Sequence, residues 1–130
     1  LASTLGRSAA SEIPDATGMS VPQWRVISVI GSRPGISFRT LVQILEIDKG
    51  WISRTLTKLQ DDGVVTATPD PADKRQFTLE LTAAGRELHH QGSRVSRMRQ
   101  KQLEAEFSDT EYQALLDLLD RLQAAAEKLE

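Results

Sequence analysis

Residues 37–63 read SFRTLVQILEIDKGWISRTLTKLQDDG, and their apolar residues recur at helical spacing in two separate runs. Ser37 and Asp48 are good N-cap residues, and each follows an isoleucine that can pack on the first turn of its helix. Gly63 suits the left-handed conformation in which many helices end. The stretch therefore predicts two short helices whose caps lie eleven residues apart.

We expect the first helix over about residues 37–45 and the second over about 49–61. Since only Glu46 and Ile47 lie between the first helix and the cap of the second, the two helices must turn sharply against each other. The core-facing residues are Leu41, Ile44 and Leu45 in the first helix and Ile52, Leu56 and Leu59 in the second. This arrangement is the helix-turn-helix pattern.

The spacing of the apolar residues changes from a helical to a strand period after Gly63. Residues 64–68 are strand formers, and apolar and polar side chains alternate over residues 77–82. Residues 69–76 are too polar and too rich in proline to continue a ladder, so they predict a projecting loop. A β-hairpin that follows a helix-turn-helix in this way is a wing.

Further helices are predicted on both sides of this segment. Capping boxes at Ser20 and Ser108 begin two of them, and Thr82 caps a long helix that runs to about Glu104. The apolar stripe of the last helix is too wide for one partner helix, so we expect it to pack on a second subunit. The stripe consists of Tyr112, Leu115, Leu116, Leu119, Leu122, Ala126 and Leu129. The fold class is thus mainly α with a small β-hairpin (α+β), in a single domain over residues 1–130.

Composition and charge bound the class of protein. The chain has 130 residues, of which 39% are hydrophobic, which is enough for one modest core. The net charge is −2, but the segment from Arg86 to Lys101 carries five basic residues and one acid, whereas residues 102–130 carry eight acids and two bases. An acidic C-terminal helix can therefore hide a basic working face, and a solvated helix face is the alternative for either run.

Several kinds of site have no basis in the sequence. Without cysteine there is no disulfide, thiolate metal site or thiol sensor, and adjacent His89 and His90 make a poor ligand set, so we expect neither a metal nor a cofactor. No apolar run is long enough to span a bilayer and no secretory leader is visible, so we expect a cytoplasmic protein without membrane contact. Because the chain begins with Leu1 rather than Met, we expect a further segment before it.

The second predicted helix has the side chains that a recognition helix needs in the major groove of DNA, namely hydrogen-bonding residues in its first turns and cations further along. Arg54 is the first candidate, because its planar fork can donate two hydrogen bonds to guanine. The alternative for Arg54 is an ordinary ion pair with Asp61 or Asp62. The candidates off the buried face are Lys49, Gly50, Trp51, Ser53, Arg54, Thr57 and Lys58.

The other candidates on these two helices have separate roles. Ser53 and Thr57 can reach bases or phosphates, and Gly50 leaves room where backbone and phosphate approach each other. Trp51 is either a core residue or a DNA-facing one. The residues assigned to phosphates are Arg39, Thr40, Lys49 and Lys58, and Ser37 beside them is also counted as a DNA contact.

The tip of the predicted wing carries Asp73, Lys74 and Arg75. An arginine there can enter the narrow, electronegative minor groove, and Asp73 can brace its guanidinium. The alternative is a solubilising turn with a local ion pair of little energetic value.

Taken together, these residues resemble the multiple antibiotic resistance regulator (MarR) family of bacterial transcription factors over about residues 20–91. The motifs are Gln23-Trp24, the run Asp48 to Leu59 with Ser53-Arg54, Gly63-Val64-Val65, Asp70-Pro71-Ala72-Asp73-Lys74-Arg75, and Leu81-Thr82 with Gly85. The wing signature combined with the Thr and Gly of the following helix is the most specific part. Lys74 and Ala67 stand where the family often has arginine, and Glu46 stands where it often has glycine, so we expect weaker phosphate contacts and a strained turn.

The resemblance implies a DNA-binding lobe over about residues 20–82 and dimerisation helices over about 1–14 and 83–130. It implies an obligate homodimer whose recognition helices enter successive major grooves about 34 Å apart, with Arg75 in the minor groove. It also implies a small aromatic or phenolic effector between the dimer helices and the lobe. The groups nearest such a site are Trp24, Arg86, His89 and His90, for which a surface or interface role is the alternative.

The sequence thus predicts a transcriptional regulator, a repressor that binds a pseudo-palindromic operator in double-stranded DNA as a homodimer. A winged-helix module for protein association without specific DNA binding is the alternative, with the wide apolar stripe as its working surface. An enzyme is the weakest interpretation, because there is no Gly-rich phosphate loop, activated serine context, cysteine nucleophile or metal cluster.

Overall fold

The structure is a computed structural model that describes residues 17–129. The chain divides into two compact units, residues 1–95 and residues 96–130. The helices are α1 (Val21–Ser32), α2 (Phe38–Leu45), α3 (Lys49–Asp61), α4 (Ala83–Glu104) and α5 (Asp109–Glu127). The strands are β1 (Ile36–Ser37), β2 (Val65–Pro69) and β3 (Phe77–Leu81). The predicted fold class is confirmed, while the dimerisation helix expected over about residues 1–14 lies outside the described residues.

Polar caps begin four helices where the sequence predicts them. Ser20 and Ser108 form complete capping boxes, in which the hydroxyl accepts the N–H of the third helical residue and that residue's side chain accepts the N–H of the cap. Ser37 accepts the N–H three residues ahead at 3.1 Å, and Asp48 does the same at 2.9 Å. These caps fix the starts of α1, α2, α3 and α5.

Glu46 forms the turn between α2 and α3. Its φ is 53°, and among the residues that the structure describes it is the one non-glycine with positive φ. Its N–H donates to the carbonyl of Val42 at 3.1 Å and so ends α2. A side chain with a Cβ is strained in this left-handed conformation by about 1 kcal/mol. The expected strain at a position suited to glycine is therefore confirmed.

The wing belongs to a three-stranded antiparallel sheet in the order β1-β3-β2. Strands β2 and β3 pair from Val65 opposite Leu81 to Pro69 opposite Phe77. Two details correct the sequence analysis. Residues 36–37 form a third strand on β3, and two residues are too few to show a strand period. Pro69 ends β2 instead of opening the loop, because β2 is an edge strand and tolerates a residue without an N–H.

The core of the first unit joins α1, the helix-turn-helix and the sheet. Its largest fully buried side chains are Ile27, Ile30, Leu41, Ile52, Leu79, Val26 and Val65. They come from α1, α2, α3, β2 and β3, so each of these elements turns one apolar face inward. Because a close-packed interior admits little movement, this core holds α3 at a fixed orientation to the wing.

Two glycines allow aromatic rings to pack between α1 and the first part of α4. A Cβ built on Gly92 would lie 2.4 Å from the ring of Trp24, and one built on Gly31 would lie 2.5 Å from the ring of His89. The two rings stack on each other with their centroids 5.7 Å apart. In this contact, therefore, each ring lies directly on the backbone of a helix.

The second unit exposes most of its large apolar side chains. Helix α5 has no buried residue. Its exposed leucines are Leu115, Leu116, Leu118, Leu119 and Leu122. Within residues 17–129, no helix is long and apolar enough to cross a bilayer, and no three metal-ligating side chains form a cluster.

Candidate nucleic-acid interface

Helix α3 exposes the face that the sequence analysis assigned to DNA. The residues that turn to the core are Ile52, Thr55, Leu56 and Leu59. The exposed ones among the residues assigned to DNA are Lys49, Ser53, Arg54, Thr57 and Lys58. Because the core fixes one face of α3, the helix presents the other face as a rigid surface, as a DNA-recognition helix requires.

Arg54 makes no ion pair within the described part of the chain. Asp62, one of the two carboxylates considered for it, pairs with Lys58 instead, with 3.0 Å between Lys58 Nζ and Asp62 Oδ2. The Nη1 atom of Arg54 lies beside Gly50, 3.2 Å from the position that a Cβ would take there. The guanidinium of Arg54 is therefore available to a ligand, whereas the charge of Lys58 is partly neutralised.

Two neighbours of Arg54 are less available than the sequence suggested. Trp51 is half-buried and packs against the core cluster, so it lies between the two roles considered for it. The hydroxyl of Thr57 donates to the carbonyl of Ser53 at 3.1 Å. In this rotamer, Thr57 offers a partner only its oxygen lone pairs.

The start of α2 contributes a cation and a hydroxyl pair. Ser37 Oγ donates to Thr40 Oγ1 at 2.9 Å and accepts the N–H of Thr40, so both hydroxyls serve the cap. Arg39 is exposed and lines, together with Lys49 and Arg75, one cleft of about 480 Å³. Cations from α2, α3 and the wing thus meet at one concave surface.

Two aspartates shape the wing loop from within. Asp70 Oδ1 accepts the N–H of Ala72 at 2.8 Å, and Asp73 Oδ1 accepts the N–H of Arg75 at 3.1 Å. Asp73 Oδ1 also lies 3.7 Å from Arg75 Nε, so the expected brace is present. The side chain of Arg75 is 95% exposed, and Lys74 beside it is exposed as well. The loop backbone is therefore constrained while the guanidinium extends outward.

A second cleft, of about 460 Å³, lies between α3 and the wing. Ser53 and Thr57 line it from α3, and Arg75 and Phe77 line it from the wing. Sequence reasoning did not single out Phe77, which is 48% exposed although Leu79, two residues on, is buried. An aromatic residue at the mouth of the wing was the available signal. The cleft brings Ser53 and Thr57, which were predicted to reach bases or phosphates, onto one surface with Arg75, whereas Arg54 does not line it.

The residues suggested for an effector lie in different surroundings. Trp24 and His89 pack on each other between α1 and α4. Arg86 Nη1 donates to the carbonyl of Leu81 at 3.2 Å and lines a cleft of about 140 Å³ at the end of α1. His90 is exposed. The structure thus brings two of the four together and leaves His90 apart from them.

Comparison with known proteins places these features in a family. A family model described as "MarR family" matches residues 17–76, from the segment before α1 to the end of the wing loop. The solved structure of a MarR/EmrR family transcriptional regulator from Acinetobacter sp. ADP1 is 31% identical with a TM-score of 0.83, and the match covers 98% of this chain and 89% of that one.

Two curated proteins are also similar. The transcriptional regulator HosA of Escherichia coli O111:H- is 34% identical over 77 residues, which are 59% of this chain and 55% of HosA. The homoprotocatechuate degradative operon repressor of Escherichia coli is 26% identical over 102 residues, which are 78% of this chain and 69% of the repressor. The chain thus spans about half the length of HosA. The resemblance seen in the sequence is confirmed, and the chain belongs to the MarR family.

Proposed function

We propose that this chain is a transcriptional regulator, a repressor that binds a pseudo-palindromic operator in double-stranded DNA. The observation that carries the proposal is the exposed face of α3, on which Arg54 makes no ion pair with any residue from 17 to 129, while Ser53 and Thr57 line one concave surface with Arg75 of the wing. Family membership supports it, as do the names of the similar proteins, which are transcriptional regulators and a repressor.

In this function, α3 reads bases in the major groove, and the cations that flank it bind the phosphate backbone of the DNA. Arg54 donates two hydrogen bonds to a guanine edge, and Ser53 on the same exposed turn reaches a neighbouring base or phosphate. Arg39 and Lys49, which line one cleft, neutralise phosphates beside it. Each phosphate contact of this kind releases counterions, so affinity falls steeply as salt is raised.

Arg75 enters the minor groove next to the site of α3. A narrow minor groove concentrates negative potential, which attracts a guanidinium. In the free protein the same group faces Asp73 at 3.7 Å. Because an ion pair this exposed is worth less than about 1 kcal/mol, DNA can displace it at little cost.

The operator is read twice because the chain acts as a homodimer. Helix α5 buries no residue in the single chain and exposes five leucines, and an apolar patch of this kind usually marks a partner surface. A twofold axis brings the same helix of two copies together, and residues 83–130 with about 1–14 form the interface. The two copies of α3 then reach half-sites about 34 Å apart.

The effector that we propose is a small aromatic or phenolic acid whose binding lowers DNA affinity. One similar protein is named for the operon that degrades homoprotocatechuate, an aromatic acid. In this chain Arg86 offers a cation on α4 at a cleft that Gly31 also lines, and the His89 ring packs against Gly31 with Trp24 stacked on it. A panel of phenolic acids should raise the Tm of the protein. If none of them shifts the Tm, the effector proposal is wrong.

The leucines of α5 also favour a second candidate function, association with another protein without specific DNA binding. Neither function requires catalysis, and we propose that the chain is not an enzyme and acts in the cytoplasm, where bacterial DNA lies. Salt distinguishes the two functions. Phosphate contacts make log affinity fall linearly with log salt, whereas an apolar interface barely responds.

The decisive experiment is selection of bound fragments from a pool of random duplex DNA. We expect a pseudo-palindrome with half-site centres about one helical turn apart, bound by two chains. Mass measurement in solution gives the number of chains, and affinity at several salt concentrations gives the number of phosphate contacts. Fragments without any shared motif, or a protein that stays monomeric with DNA, would overturn the proposal.

A further inference from the structure

We infer that Thr82 is a positioning residue for the DNA-reading helix, because its hydroxyl ties the C-terminal end of α3 to the first turn of α4. The inference rests on the proposed function, since it concerns how α3 is held against DNA. Thr82 itself is half-buried and lies between β3 and α4. It acts through the backbone that it holds and contacts no base.

Three elements converge on the side chain of Thr82. Its Oγ1 donates to the carbonyl of Gly63 at 2.6 Å, lies 3.2 Å from the carbonyl of Val64 and accepts the N–H of Gly85 at 3.1 Å. Its backbone N–H donates to the carbonyl of Val64 at 3.0 Å. A single threonine therefore links the end of α3, the start of β2 and the start of α4.

The carbonyls that Thr82 contacts belong to the residues that close the last turn of α3. Gly63 has φ of 73°, the left-handed conformation of a helix C-terminus. Its N–H donates to the carbonyl of Gln60 at 3.0 Å, and the N–H of Val64 donates to the carbonyl of Leu59 at 2.9 Å. A continuous path of hydrogen bonds thus runs from the last turn of α3 through Thr82 into α4.

Gly85 brings α4 into direct contact with that path. It is buried, and a Cβ built on it would lie 2.1 Å from the carbonyl oxygen of Val64. Only glycine permits so close an approach of one backbone to another. No side chain separates the two segments, so the end of α3 and the start of α4 cannot shift independently.

The contacts of Thr82 and Gly85 with the end of α3 matter because bidentate base reading tolerates little misplacement of the reading side chain, on the order of 0.5 Å. The core holds α3 from Ile52 to Leu59, and Thr82 holds the backbone at residues 63 and 64, just beyond the end of the helix. Loss of the hydroxyl leaves two carbonyls and one N–H with poorer partners, and α3 can then tilt about its core contacts. Arg86 and His89 follow on α4, so an event at those residues has a short route to α3.

Thr82→Val tests the inference, since it keeps the shape of the side chain and removes the hydroxyl. We expect affinity for the selected operator to fall by about tenfold while affinity for random duplex changes less than about twofold. Thr82→Ser, which restores the hydroxyl, should recover most of the loss. Thr66→Val is the matched control, because it makes the same change on an exposed site of β2.

The ratio of operator affinity to random-duplex affinity is the informative readout, because partial unfolding lowers both affinities together. If Thr82→Val proves too unstable to purify, Thr82→Cys takes its place, since it keeps the volume and weakens the hydrogen bonds. An unchanged ratio in the purified Val or Cys variant overturns the inference even though the proposed function stands. If the unmodified protein fails to bind duplex DNA, both the inference about Thr82 and the proposed function are wrong.

Discussion

Gly50 and Arg54 lie one turn apart on α3, and the bare backbone at Gly50 leaves room for the guanidinium of Arg54. A Cβ at Gly50 would lie 3.2 Å from Arg54 Nη1 and 3.1 Å from Asp48 Oδ2. The same Asp48 oxygen accepts the N–H of Trp51 and caps the helix. The missing side chain therefore serves both the cap and the candidate base-reading residue.

Gly50→Ala should separate stability from DNA reading. Alanine gains about 1 kcal/mol of helix propensity, part of which is lost because the ends of Asp48 and Arg54 must move by a few tenths of an ångström. We expect a free energy of unfolding equal to or above that of the parent, with operator affinity lowered roughly tenfold. Urea unfolding and fluorescence anisotropy measure the two quantities. Lowered stability with unchanged affinity would contradict this assignment.

Arg54→Ala should cost about 1–3 kcal/mol of operator binding and relax the preference for one base pair per half-site. Arg54→Lys is the matched variant, because it keeps the charge and loses the planar fork. Compared with Arg54→Ala, we expect Arg54→Lys to restore affinity for random duplex without restoring the base preference. A footprint and affinity unchanged in both variants would show that the reading face is misassigned.

Asp62→Asn should strengthen the contact of Lys58 with DNA phosphates, because it removes the carboxylate that pairs with Lys58. The pair is exposed on both sides, with 62% of the Lys58 and 49% of the Asp62 side chain accessible, so the free energy of unfolding should change by less than about 0.5 kcal/mol. Affinity for any duplex should rise about two- to fivefold at low salt, and Lys58→Ala should lower it for all sequences alike. Asp61→Asn is the control, and an equal gain there would rule out the ion pair as the cause.

Gly31→Ala should lower the free energy of unfolding by about 1–3 kcal/mol, because its Cβ would lie 2.5 Å from the His89 ring, which Trp24 backs. In a His89→Ala background, the same change should be neutral or stabilising. Urea unfolding of the four proteins gives the coupling energy, which we expect to exceed about 1 kcal/mol. Additive effects of the two substitutions would mean that the His89 ring does not exclude a side chain at residue 31.

Glu111 should give α5 a stability that depends on pH. The backbone N–H of Ser108 donates to Glu111 Oε1 at 3.0 Å and, with the Ser108 hydroxyl as the smaller cause, holds the pKa of Glu111 below the usual glutamate value. Because the folded pKa is the lower one, the stabilisation is complete above the unfolded pKa and is lost as pH falls through the folded pKa. Glu111→Gln should remove this dependence.

An NMR titration of the Glu111 carboxyl checks the direction of that shift. Ser108→Ala removes the hydroxyl and keeps the backbone N–H, so it should return the pKa part of the way to the usual value. Thr110→Ala is the control, because Thr110 lies next to Glu111 but takes no part in the capping box of Ser108 and Glu111. A Glu111 pKa at or above the ordinary value in the unmodified protein would refute the prediction.

The sequence by itself determined the elements and the family. Caps at Ser37 and Asp48, the C-terminal glycine at 63 and the change of apolar period act within a few residues, so each can be recognised without knowing the fold. The strained turn at Glu46 was expected from the resemblance to the family, which often has glycine at that position. The two-residue strand at residues 36–37 was not expected, because a strand that short exists only through its pairing with β3.

Tertiary structure decided how the candidate residues are used. Only the fold shows that Arg39, from a different helix, shares a cleft with Arg75 of the wing. It also set Thr82 against Gly63, nineteen residues earlier in the chain. Contacts across such separations depend on the packing of the core, which gathers residues from every element at once, and no local propensity encodes them.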